Sequence, residues 1–133
     1  IFEASVLVSG AYPGSALLVW GAPDTPRDPG DPADPGVLSD VFCRVGGTGE
    51  AARDASVETM LRVHSGNVVL DHVWLWRPDH LELRQGEAPN PPGSEYHLVV
   101  EGECACSTGL EVTGDGVTAY GLSVEHVIGN GVV

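Results

Sequence analysis

From Leu61 to His80 the chain reads LRVHSGNVVLDHVWLWRPDH, and from Leu110 to Gly129 it reads LEVTGDGVTAYGLSVEHVIG. The second stretch repeats the apolar and polar pattern of the first 49 residues later. Its apolar positions pair as Leu61/Leu110, Val63/Val112, Val68/Val117, Leu70/Ala119, Val73/Leu122 and Leu75/Val124. Within each copy the pattern alternates, resets across a Gly/Asn/Asp turn, alternates again and resets once more. Alternation predicts strands with one buried face, and each reset predicts a corner. Three short strands and two corners make one coil of a parallel β-helix, so the chain is predicted to be all-β and built from stacked coils.

The same template extends toward the N-terminus. Ser5 to Ser9 (SVLVS) and Ala16 to Trp20 (ALLVW) read as strands, with Leu17 and Val19 assigned to the inward positions held later by Leu61 and Val63. Leu38 to Val45 aligns with Leu70 to Arg77, which puts Cys43 in the place of Leu75. Cys43 is thus read as a small buried hydrophobe. Loops are expected at 21–36, 46–57 (with a helical turn through EAARDA) and 78–108, the last carrying a strand-like piece from Tyr96 to Val100. The whole of 1–133 then forms one β-helix segment of about four rungs. Because it begins in mid-pattern at Ile1, it is expected to be part of a longer helix.

Stacking the third strands gives the rungs Val6-Leu7-Val8-Ser9, Val41-Phe42-Cys43-Arg44, Val73-Trp74-Leu75-Trp76 and Leu122-Ser123-Val124-Glu125. The first and third residues of each rung point inward. The others form two outward columns: Leu7, Phe42, Trp74, Ser123, and Ser9, Arg44, Trp76, Glu125. Such a concentration of aromatic side chains flanked by charge marks a binding surface. The plainer reading is that Trp74 and Trp76 cover apolar surface beneath the 78–108 loop.

Composition narrows the partner. With 19 Asp+Glu against 6 Lys+Arg, the formal charge is −13, which disfavours nucleic acid and anionic membrane surfaces. No apolar run is long enough to span a bilayer. With 18 Gly and 10 Pro, the chain is turn-rich, as an all-β protein requires. A soluble, extracytoplasmic protein that meets neutral ligands fits this balance. The three cysteines, Cys43, Cys104 and Cys106, define no disulfide framework, and no Cys/His set has zinc spacing. Asp24, Asp28, Asp31 and Asp34 read first as a solvated loop, with a calcium site as the alternative. No metal or other cofactor is expected.

For a neutral glycan, Trp74, Trp76 and Phe42 would pack against sugar rings and Arg44 would hydrogen-bond hydroxyls. Glu125 stands beside Trp76, and a carboxyl next to an indole sheds hydration, which favours its protonated form and suits a proton donor. The plainer alternative is an ordinary exposed Glu, or one paired with Arg44 or Arg77. Asp79 would be a base or water-positioning carboxylate, with a capped turn as its plainer role. A carboxyl pair about 6.5–9.5 Å apart is spaced for inverting glycoside hydrolysis. His80 and His126 flank these carboxylates and complete the candidate binding set. His64, His72 and His126 show no metal-ligand spacing.

At VFCRVGG (41–47), VVLDHVWLWRPDH (68–80) and TGLEVTGDGVTAYGLSVEH (108–126), the chain resembles secreted microbial right-handed parallel β-helix proteins of the pectate-lyase-like superfamily. These are related to the family 55 glycoside hydrolases, β-1,3-glucanases, and often carry discoidin-like (coagulation factor 5/8 type) domains. The resemblance implies a right-handed single-stranded helix, a secreted location and a polysaccharide partner, a neutral glucan. Three functional readings follow: an inverting hydrolase of the family 55 kind, a non-catalytic glycan-binding or structural helix, and a calcium-dependent polysaccharide lyase supported by the Asp-rich loop alone.

Overall fold

The computed structural model describes residues 2–8, 15–24, 26–46 and 53–133, the first of these through its backbone. The strands are Phe2–Val8 (β1), Ala16–Trp20 (β2), Gly36–Val45 (β3), Ser56–Val63 (β4), Val68–Asp71 (β5) and Trp74–Trp76 (β6). They continue with His80–Leu81 (β7), His97–Leu98 (β8), Ala105–Val112 (β9), Thr118–Tyr120 (β10) and Ser123–Glu125 (β11). Among the described residues no helix is long and apolar enough to cross a membrane.

Two parallel sheets carry the coil. One runs β2-β4-β9, and the other runs β10-β5-β3-β6-β11 with β1 also on β3. The second order follows from the length of β3. Its first half pairs with β5 and its second half with β6, so one bent strand does what two strands do in the next coil. The bend is a stacked feature. Asp40, His72 and Gly121 sit above one another with φ of 52°, 53° and 65°, the left-handed region that turns the chain sharply.

Side chains that alternate inward fill the space between the sheets. Leu38, Leu70, Val41, Val73, Cys43, Leu75, Leu61 and Val63 are all buried. The 49-residue repeat appears as hydrogen-bonded register: Leu61 opposite Leu110, Val63 opposite Val112, Leu70 opposite Ala119 and Leu75 opposite Val124. The spacing of that repeat is not the length of a bare coil, however. Leu110 also bridges in parallel to Val132, only 22 residues on. The difference is the long segment between β6 and β9, which leaves the coil after Trp76 and rejoins it at Ala105.

Two expected registers are corrected. Leu18 and Trp20, rather than Leu17 and Val19, stand opposite Leu61 and Val63, while Val19 faces Arg62 and is 49% exposed. ALLVW is apolar throughout, so it carries no alternation to fix its face. The indole of Trp20 decides, because it lies where Gly36 leaves room: a Cβ there would come within 2.7 Å of the ring. In β1, Val6 stands opposite Cys43 rather than Val41, and Leu7 opposite Arg44 rather than Phe42. A slip of two residues leaves an alternating pattern unchanged, so alternation could not tell these registers apart. Ser9, expected in the outer column, lies outside the described residues.

The expected loop limits also shorten. Strands reclaim Gly36, Ser56–Val57 and Ala105–Thr108. Of the helical turn expected through EAARDA, residues 50–52 lie outside the described residues, and Arg53–Asp54 form a single tight turn. The strand-like piece at Tyr96–Val100 contributes β8, which pairs antiparallel with β7 as a short extra ribbon beside the coil.

Candidate functional site

The outward columns form where the pattern placed them, apart from β1. Phe42, Trp74 and Ser123 stand in one row across neighbouring strands, and Arg44, Trp76 and Glu125 in the next. Parallel pairing fixes this, because the strands lie about 4.8 Å apart and equal positions stack. Ring centroids of Phe42 and Trp74 are 4.8 Å apart, and those of Trp74 and Trp76 are 5.4 Å apart and nearly parallel. Aromatic pairs at such spacing contribute roughly 0.5–1.5 kcal/mol each beyond burial, enough to hold the rings as a preformed surface. Trp74 remains 42% exposed, so the loop between β6 and β9 does not cover it.

That loop instead lengthens the surface. His80 lies 6.0 Å from Trp76, and Tyr96 lies 5.4 Å from His80, centroid to centroid. Phe42, Trp74, Trp76, His80 and Tyr96 thus make one ribbon from the coil onto the β7–β8 pair. Sequence reasoning missed Tyr96 as part of this surface. The strand-like alternation around it was visible, but not the β7–β8 pairing that brings it to His80.

A partly buried charge network anchors His97, the residue after Tyr96. Arg53 grips Glu87 with both terminal nitrogens, and Arg53 Nη1 to Glu87 Oε1 is 2.7 Å. His97 Nε2 lies 2.8 Å from Glu103 Oε2, and its Nδ1 faces Glu87 at 3.3 Å. Hydrogen bonds from Arg53, then from the Arg84 amide, hold the Glu87 carboxyl down at about 2. Arg77 adds a second fastening. Its guanidinium donates to the carbonyls of Cys104, His126, Val100 and Glu103.

The charged candidates take up distinct positions. The guanidinium carbon of Arg44 lies 4.5 Å over the Trp76 ring, and its buried Nε has no partner among the described residues. Glu125 accepts a 2.6 Å hydrogen bond from Ser123 Oγ. Since Arg77 is occupied by carbonyls and Arg44 lies on Trp76, the pairing of Glu125 with either arginine is not the arrangement adopted. Asp79 lies 2.8 Å from His80 Nδ1. Partial burial pushes its carboxyl up, but the hydrogen bonds from His80 and its own amide, with the charge of His126, leave it below its ordinary value. His126 is exposed at the end of the same face.

The thiols are all buried. Burial, with the neighbouring Cys106, pushes Cys43 up to about 12. Burial likewise raises Cys104 and Cys106 to about 11. In the Asp-rich loop, Asp28 and Asp31 accept hydrogen bonds from the amides of Gly30 and Ala33 in their own turns. Among the described residues no three His, Cys, Asp or Glu side chains converge as a metal-binding group.

Coil, stacked registers and inserted loop agree with one comparison in particular. The family described as the LAM55 pectate lyase-like domain matches residues 3–133. The chain belongs to that family. The chain is also 36% identical over 92 residues to a protein described as an exo-beta-1,3-glucanase from Streptomyces sp. (strain SirexAA-E / ActE). The match covers 69% of this chain and 12% of that relative's length. No solved structure matches.

Proposed function

We propose that this LAM55 chain forms part of a secreted protein that binds a neutral glucan of the β-1,3-linked class, and that the aromatic ribbon is its binding face. The observation that carries the reading is the unbroken run of rings from Phe42 through Trp74, Trp76 and His80 to Tyr96. Flat rings pack against the C–H faces of pyranoses, and a row of them suits a chain of sugars better than a single one. Arg44, half-buried with its guanidinium over the Trp76 ring, is the cation of this face placed to donate to a sugar hydroxyl from its terminal nitrogens. The name of the Streptomyces relative supplies the linkage class. A right-handed coil belongs to the same reading, because parallel crossovers take that hand in about 98% of cases. Further coils in the parent protein would extend the groove.

Hydrolysis is the stronger form of the proposal. Glu125 would give its proton to the leaving oxygen, and Asp79, kept ionised by His80, would orient or deprotonate the attacking water on the opposite side of the ring. His126 would line the same end.

Both forms are tested by measuring binding and turnover on a β-1,3-glucan in the parent protein. Trp76→Ala should weaken binding roughly 10–30-fold, the worth of a central aromatic anchor. Glu125→Gln should leave binding nearly intact and lower turnover by about 10²–10⁴. Undiminished turnover in Glu125→Gln leaves a binding module only. Unchanged affinity in Trp76→Ala removes the face as the binding site.

A further inference from the structure

At the corner where β4 turns into β5 and β9 turns into β10, the Asp-rich loop is fastened across the coil. Arg27 Nη1 donates to the Thr113 carbonyl at 2.9 Å, and Asn67 Nδ2 donates to the Pro29 carbonyl at 2.8 Å. The Gly66 amide donates to the Asp28 carbonyl at 2.9 Å. The approach is close: a Cβ on Gly66 would stand 2.4 Å from the Pro29 oxygen. Loop and corners enclose a cleft of about 550 Å³, whose polar lining includes Arg27, Asp28, His64, Asn67, Thr113 and Asp115. That volume lies within the range of small-molecule sites, roughly 300–1,000 Å³.

His64 is what makes this cleft more than a gap between loops. It is only 6% exposed, and Nδ1 is held at 2.7 Å from Thr113 Oγ1. Its Nε2 has no hydrogen-bond partner among the described residues and is the part of this otherwise buried ring left open toward the cleft. Around it stand the rest of the Arg27 guanidinium and the carboxylates of Asp28 and Asp115. The carboxylates repel anions and Arg27 repels cations, while together they offer both donors and acceptors. A ligand that donates and accepts without net charge satisfies all of them.

We propose that this cleft binds a neutral, polyhydroxylated ligand about the size of a single hexose ring. It shares no residue with the aromatic ribbon, and the proposal does not rest on the reading of that ribbon. No aromatic side chain lines it, so binding is by hydrogen bonds alone and falls in the millimolar range.

The test uses the ¹⁵N-labelled chain, with glucose as the probe and sulfate as the anionic control. Glucose should produce saturable shifts of the Gly66, Asn67, Gly114 and Asp115 amides. Arg27→Ala and Asp115→Ala, both at exposed side chains, should each weaken this binding about tenfold, the worth of a charge-assisted hydrogen bond. Trp76→Ala should leave it unchanged. The proposal fails if these amides do not move, if only residues around Trp74 and Trp76 respond, or if the shifts survive both substitutions. A stronger response to sulfate than to glucose would overturn the ligand class.

Discussion

The repeated coil and the loop between β6 and β9 sit side by side and differ in what holds them beyond apolar burial. In the coil, Leu38, Leu70, Leu61 and Leu75 are fully buried, and in β5 and β6 buried residues alternate with outward ones. Nothing charged lies among them. In the loop Leu81 and Cys104 join the apolar core, but most of its polar fastening is ionic or to backbone carbonyls: Arg53 with Glu87, His97 with Glu103, and Arg77 with four carbonyl groups. Apolar burial is non-directional and tolerates repetition, so it can build identical layers. Charge pairs in a partly buried site have one geometry, so they can place a single ring, Tyr96, at a chosen spot. The coil supplies the stack and the loop supplies the address.

This contrast breaks most visibly in the coil. Leu75→Ala removes a fully buried side chain from the layer beneath Trp74 and Trp76, and should cost about 2–5 kcal/mol in urea unfolding. A loss below about 1 kcal/mol would mean that the layers are far looser than their burial implies. Cys43→Ser, one rung away, keeps the volume but adds a hydroxyl without a partner, so about 1–3 kcal/mol is expected. Because burial holds the thiol near 12, Cys43 in the wild-type chain should resist alkylation until unfolding. Rapid labelling of the folded protein would refute its place in the core.

The loop should respond to acid while the coil does not. Glu87 is depressed from 4.5 to about 2 in the folded chain. Its contribution to loop order is therefore complete above about pH 4.5 and is lost as the pH falls toward 2. Hydrogen exchange, corrected for the intrinsic rate, should show the Leu98 and Val99 amides losing protection across that window. The Asn67 amide, bonded to Asp115 of the next coil, should keep it. Arg53→Met should produce the same selective loss at neutral pH. Equal loss in loop and coil would deny that the two are held separately.

What could be seen in the sequence follows the same division. Alternation located the inward residues of β3 to β6 and of β9 to β11, and with them the rows of Phe42, Trp74, Arg44, Trp76 and Glu125. It failed at ALLVW, which has no polar position to mark a face, and at the register of β1, where a two-residue slip changes no side chain's direction. The Arg53–Glu87–His97–Glu103 network was invisible for a different reason. Its members are up to 50 residues apart in sequence, and charged residues in loops carry no periodicity that announces burial. Tyr96 was therefore read as the start of a strand-like piece, though it falls one residue ahead of β8, and not as a neighbour of His80.

The parallel bridge from Leu110 to Val132 shows that 22 residues suffice to climb one step of the stack. The ladder therefore counts hydrogen-bonded positions and ignores how much chain passes between them. Everything between Trp76 and Ala105 beyond that minimum is cargo, carried at one corner without altering the pitch. A chain built this way can exchange its cargo for a longer, shorter or differently charged one while the rows of the face stay in line, so the surface it presents is free to diverge at a rate its scaffold does not set.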